Sequence, residues 1–160
     1  MYLNEQKLLL AFVVYEYLGM VESEEEGRPI QEYLTALGML AKTDIHLRLE
    51  SSIVVNFYRA FKQAVEYHQN LKDGDDFAEV GYEQIERMLK GKEQFDKTIR
   101  LARELIEGKV LSEPISLTEA IAMKNYCDIY FLTIAARKQH NDNSLRLTPI
   151  TEEEAMEETD

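Results

Sequence analysis

The chain has 160 residues, 45% of them apolar and 30% charged, with only seven Gly, three Pro and one Cys, and its formal charge is −12. Size scaling lets a chain of 18.6 kDa bury about 70% of its unfolded surface, so one core-bearing domain needs no disulfide or metal. This composition excludes collagen-like and wholly disordered classes, and the single Cys127 excludes an intramolecular disulfide and a cysteine-based zinc site.

Two further classes fall on segment length. The longest apolar run, residues 8–15, is eight residues, less than half of the ~20 a membrane span needs. Only Lys7 precedes it closely and no small-residue cleavage pattern follows, which opposes a secretory signal. A reducing cytoplasm is the expected address.

Hydrophobic spacing is helical nearly throughout. Asn4 caps an expected first helix to about Val21, with an apolar face of Leu8, Leu9, Phe12, Val13, Tyr15 and Tyr17 wide enough for more than one neighbour. The acidic residues 22–27 read as a loop, with Pro29 suited to the first position of the next helix because it lacks an N–H. That helix presents Ile30, Tyr33, Leu34, Leu37 and Leu40, and Gly38 either weakens it or admits a close helix crossing.

Residues 43–51 alternate like a strand at Ile45, Leu47 and Leu49. The longer series Ile45, Leu49, Ile53, Phe57, Phe61, Ala64, His68 and Leu71 keeps helical spacing, so a helix over about 43–71 is expected, bent near Ser51 and Ser52. Residues 72–76 form a turn, and Asp76 with Glu79 fits a capping box. The series from Phe77 to Ile106 predicts one long helix or two hinged at Gly91, with Gly108 as the stop. Ser116 with Glu119 makes a second capping box, opening a helix to about His140 that is apolar on nearly every face over 126–136 and belongs in the middle. Residues 141–144 are expected to end it. The predicted architecture is all-α, a single-domain bundle of five to seven helices over residues 1–150, followed by a flexible acidic tail, 151–160.

Motifs for chemistry are sparse. His46, His68 and His140 belong to no His-x-x-x-His or Glu-x-x-His unit, which opposes a di-iron bundle, and His68 falls on an apolar stripe as a core or boundary residue. Residues 73–76 lack the ligand spacing of a calcium loop. Cys127 lies among Tyr126, Ile129, Tyr130 and Phe131, where burial makes a thiol inert. No nucleophile elbow, phosphate-binding Gly-rich loop or dinucleotide fingerprint occurs, so no cofactor and no metal are expected. Glu83 and Glu86, one turn apart, are the candidate Mg²⁺ ligands of a helical hydrolase, though Arg87 adjoins them. Arg137 and His140 are too close for a helical Arg-x₄₋₆-His nuclease.

Charge supplies the positive candidates. Residues 1–80 carry 14 acids and 7 bases, and the last ten carry six acids and no base. This field repels phosphate backbones and anionic lipid and favours a basic partner. The expected function is a non-enzymatic protein-interaction module: an adaptor, assembly factor or inhibitor, or a mimic of nucleic acid. Its surface would comprise Tyr15, Tyr17, Glu22, Glu24, Glu25, Glu26 and Tyr33. The alternative is a nucleic-acid-associated subunit using Lys90, Lys97, Arg100 and Arg103 in the basic strip 87–109. There, expected i,i+4 pairs Glu93–Lys97, Asp96–Arg100 and Arg103–Glu107 weaken the field, and no exposed-aromatic pattern offers stacking. Wide helical faces equally suit a second copy of the chain.

Overall fold

The computed structural model describes residues 17, 19, 21–42 and 49–146, with the side chains of 139 and 141–146 excepted. The expected first helix before Tyr17, Tyr15 itself, the alternation at 43–48 and the acidic tail lie outside the described residues. The described residues form α1 (Glu24–Ala41), α2 (Glu50–His68), α3 (Phe77–Ile85), a 3-10 turn (Glu86–Met88), α4 (Lys92–Ile106) and α5 (Leu117–Arg146), with no strand among them.

Helix α1 starts earlier than Pro29. Ser23 is its N-cap, and the Ser23 Oγ accepts from the Glu26 N–H at 3.2 Å while the Glu26 carboxylate accepts from the Glu22 N–H at 3.1 Å. The acidic residues expected as a loop are therefore the first turn, where negative side chains complement the exposed N–H groups of the helix end. Pro29 sits inside the helix. Lacking an N–H, it withholds a helical donor from the carbonyl of Glu25, an exposed residue. Gly38 has nothing within 4 Å of an added Cβ, so none of the described helices crosses closely there.

Helix α2 buries Ile53, Val54, Phe57, Tyr58, Ala60, Phe61, Ala64 and Val65, a stripe at spacings of three and four. It stops at His68, short of Leu71, because Asn70 takes φ +47°, a conformation Asn tolerates better than most residues. Ser51 and Ser52 lie in its first turn, and residues 43–48 before it lie outside the described residues. At α3 the Asp76 carboxylate accepts from the Ala78 N–H at 3.0 Å. Glu79 does not close the expected box, because its carboxylate holds the Lys92 ammonium at 2.8 Å instead.

The series 77–106 divides into two helices across residues 86–91, and Gly91 at φ +150° makes the turn into α4. The end of α4 is a Schellman arrangement: the Lys109 N–H reaches the Glu104 carbonyl at 2.9 Å and the Gly108 N–H reaches Leu105 at 3.2 Å. Ser116 and Glu119 do form the box that opens α5, the Glu119 carboxylate accepting from the Ser116 N–H at 2.8 Å. Helix α5 then continues to Arg146, through residues 141–144 that were expected to end it. Asn, Asp and Ser cost only a few tenths of a kcal/mol each inside a helix, too little to stop one already propagating.

The middle of the fold is shared. Helix α2 packs on all four other helices, and α5 packs on α2, α3 and α4. Phe61 of α2 gathers one ring from each of three neighbours, Phe77, Phe95 and Tyr130, at centroid distances of 6.3, 6.0 and 5.5 Å. Edge-to-face pairs of this kind add about 0.5–1.5 kcal/mol each beyond area burial. Gly81 of α3 lets this cluster close, since an added Cβ would stand 2.6 Å from the Phe61 ring.

Candidate functional site

Several side chains capable of chemistry are turned inward. The Tyr33 hydroxyl of α1 donates to the Asp128 carboxylate of α5, whose second oxygen accepts from the Lys124 ammonium at 2.7 Å. Tyr33 is fully buried and Asp128 is 9% exposed, so each oxygen of a nearly dry carboxylate has its own donor. Burial pushes the Tyr33 hydroxyl well up, and the Asp128 charge and hydrogen bond push it further. The arrangement fixes α1 against α5 and leaves the phenol protonated.

Beside it, Cys127 is buried and its thiol donates to the Phe57 carbonyl at 3.1 Å. Burial first, then the neighbouring Asp128 charge, raise the thiol far above its ordinary value. It is a packed core group, as its sequence setting predicted, and is poorly suited to nucleophilic attack.

A second polar cluster joins the segment at Tyr17 to the ends of α1, α2 and α5. The Tyr17 hydroxyl donates to the Glu26 carbonyl at 2.9 Å and lies 3.2 Å from His68 Nε2. The single hydroxyl proton goes to the carbonyl, so His68 must supply the proton of the second contact from Nε2. Burial lowers the His68 pKa, with Glu26 opposing and Lys138 reinforcing the shift. Glu26 also faces Lys138 at 3.7 Å. His68 is half-buried, a boundary residue as expected.

This geometry corrects the expected interaction surface. Tyr17 and Tyr33 have no exposure and Glu26 has 4%, so none of the three can touch a partner. They turn inward because a phenol reaches a buried acceptor while its ring adds to the core: Tyr17 packs on Phe131 at 4.6 Å and Tyr33 packs on Phe57 at 5.5 Å. Glu22, Glu24 and Glu25 are exposed. Within that set Tyr17, Tyr33 and Glu26 are therefore buried, while Glu22, Glu24 and Glu25 remain at the surface.

The basic strip is likewise rearranged. Its bases pair across the fold with acids distant in sequence: Lys97 with Glu113 at 2.8 Å and Glu119 at 3.7 Å, Arg100 with Glu113 at 3.5 Å, and Arg103 with Asp76 at 2.7 Å. Arg103 also donates to the Tyr58 hydroxyl at 3.3 Å and lies 5.3 Å from the centre of the Phe77 ring. These acids take the bases that the expected i,i+4 partners would have held. Arg100 keeps one intrahelical neighbour, Glu104 at 3.9 Å. Lys90, near the start of the strip, is exposed.

Glu83 and Glu86 are exposed at the end of α3 and in the following turn. Among the described residues no group of three or more His, Cys, Asp or Glu side chains is placed to hold a metal ion. No helix among them is long and apolar enough to cross a membrane.

Two surface depressions complete the picture. A polar one between α1 and α2 is lined by Glu25, Arg28, Gln63, Glu66 and Tyr67, and the Gln63 Oε1 is buried without a hydrogen-bond partner. An open apolar groove is lined by Met88, Leu132, Thr133, Ala136, Arg137 and His140. No family model, curated protein or solved structure matches the chain.

Proposed function

We propose that the chain is a non-enzymatic helical interaction module, an adaptor, assembly factor or inhibitor in the cytoplasm, built as a single-domain bundle. The observation that carries this reading is a division of labour. The phenols of Tyr17 and Tyr33, the Cys127 thiol and the Asp128 carboxylate are bound to one another or to backbone. Large apolar side chains meanwhile stay at the surface, including Met88 at 66% and Val110 at 96% exposure. A chain that buries the Tyr17 and Tyr33 phenols and its thiol while leaving Met88, Val110, Ile106 and Ile121 at the surface offers apolar contacts to other proteins and no exposed nucleophilic thiol.

The exposed acids at the start of α1, Glu22, Glu24 and Glu25, are the face this reading gives to a basic partner, including an enzyme that ordinarily binds nucleic acid. Pairing of Lys97, Arg100 and Arg103 with carboxylates weighs against the nucleic-acid-associated alternative, since those bases have no net field left for phosphate. The separation of Glu83 and Glu86 from further acids weighs against a Mg²⁺-dependent hydrolase.

The test is quantitative capture from a host lysate by the purified chain and by a variant with Glu22→Lys, Glu24→Lys and Glu25→Lys. A partner retained at low salt by the first, released at high salt and lost from the second supports the reading. Equal recovery by both removes the acidic face, and recovery of nothing by either removes the module reading.

A further inference from the structure

The apolar groove is lined by Met88 and by one stripe of α5. It has a volume of about 570 Å³ and runs between Met88, in the 3-10 turn after α3, and the C-terminal half of α5. Its two ionisable lining residues, Arg137 and His140, are both bases and both exposed, and no carboxylate lines it. Arg87 and Lys90, on either side of Met88 in the chain, are exposed, as are Glu83 and Glu86 just before them, so the charge on that wall is mixed and the bases of the α5 wall set its sign. Unlike Lys97, Arg100 and Arg103, Arg137 forms no ion pair among the described residues. In a chain of net charge −12, this is an apolar floor whose α5 wall carries bases and whose lining has no carboxylate.

Its dimensions fit a secondary-structure element. Residues 132, 133, 136, 137 and 140 recur at helical spacing along one stripe of α5, covering about 12 Å at ~1.5 Å per residue. Apolar anchors at positions i, i+3 or i+4, and i+7 of a docked helix cover about 10.5 Å. Met88 stands opposite as an unbranched, polarisable wall that adapts to different anchors.

We infer that this groove binds the apolar face of an acidic amphipathic helix presented by a partner protein, its carboxylates meeting Arg137, His140 and the neighbouring Arg87. The inference rests on the interaction-module reading and deepens it: the chain would hold a basic surface with α1 and an acidic helix with α5.

The experiment is fluorescence anisotropy on the full chain with a labelled synthetic amphipathic peptide of about 18 residues. The probe carries Leu at i, i+4 and i+7 and Glu on its other faces. A counterpart with Lys in place of Glu is the control. Met88→Glu and Ala136→Glu both alter exposed positions, and an unchanged thermal midpoint certifies that each variant is folded. The expected result is saturable binding of the Glu peptide, at least roughly tenfold weaker in either variant, weakened by salt and absent for the Lys peptide. No saturable binding, equal binding of both peptides or indifference to both variants overturns the proposal.

Two other occupants give their own signatures, and each overturns the assignment to a foreign helix. Self-association in light scattering that Ala136→Glu abolishes places a second copy in the groove. A rise in peptide affinity when Glu152, Glu153 and Glu154 are changed to Gln places the chain's own C-terminal segment there. The Glu22, Glu24 and Glu25 variant separates the two proposals, because loss of the α1 face leaves peptide binding intact, whereas loss of the groove leaves lysate capture by α1 intact.

Discussion

The Tyr33 hydroxyl donates to the Asp128 carboxylate across 95 residues of chain, joining α1 to α5 inside the core. Because Lys124 occupies the other carboxylate oxygen, each member protects the next from being buried unpartnered. Tyr33→Phe removes one donor to a charged acceptor and is expected to cost about 1–3 kcal/mol. Asp128→Ala strands both Lys124 and Tyr33 and is expected to cost about 3–5 kcal/mol. Urea unfolding of the two single variants and the double variant measures this, and the pair should fall short of additivity by about 0.5–3 kcal/mol.

Two glycines should respond in opposite directions to the same substitution. At Gly81 an added methyl meets the Phe61 ring at 2.6 Å and Val65 Cγ2 at 2.9 Å, so Gly81→Ala should destabilise by about 1–3 kcal/mol through overpacking. At Gly38, helical, exposed and with nothing within 4 Å, Gly38→Ala should stabilise by about 0.5–1 kcal/mol by restricting the unfolded chain. Thermal midpoints that move in the same direction would contradict the packing assigned to α3 against α2.

His68 sets an expected pH dependence. Its folded pKa lies below the ordinary 6.5 because burial disfavours the imidazolium, and Lys138 adds to this while Glu26 opposes it. A group depressed in the folded state contributes stability that is fully present above the unfolded value and is lost as pH falls through the folded one. Stability should therefore decline as pH drops below about 6.5, and His68→Gln should flatten that slope. Tyr17 and Tyr67, whose rings lie 6.0 and 5.0 Å from the imidazole, should show ring-resonance shifts over the same interval by NMR. A histidine titration above 6.5 would reverse the sign.

Cys127 should resist thiol reagents in the native state. Its burial and its bond to the Phe57 carbonyl require opening of the α2–α5 contact before modification. Labelling by a disulfide reagent should follow the unfolding equilibrium across a denaturant series. Rapid labelling without denaturant would mean that α2 and α5 are not held together as described.

The helical class was legible because the apolar spacing in α2 and α4 repeats over several turns, and the Ser116–Glu119 box and the Gly108 stop act through neighbours in sequence. The start of α1 was misplaced by a competing local rule: Pro29 suits a first position, but the Ser23–Glu26 cap recruits the acidic residues first. The partners of Arg103 and Lys97 were not legible, since Asp76, Glu113 and Glu119 reach them only once α3, α4 and α5 are packed. The same limit hid the buried tyrosines. Composition makes a Tyr beside acids look like surface, and only the position of Asp128 and His68 turns Tyr33 and Tyr17 inward. Lys124–Asp128, an i,i+4 pair in an otherwise apolar stretch, was the one available hint.

The interaction-module account is tested most directly by capturing host proteins in parallel on three forms of the chain and quantifying them by mass spectrometry: the natural sequence, the form with Lys at positions 22, 24 and 25, and the Ala136→Glu form. Two separable losses are predicted, with basic proteins missing from the second form and proteins bearing acidic amphipathic helices missing from the third. Identical protein sets on all three forms would contradict it.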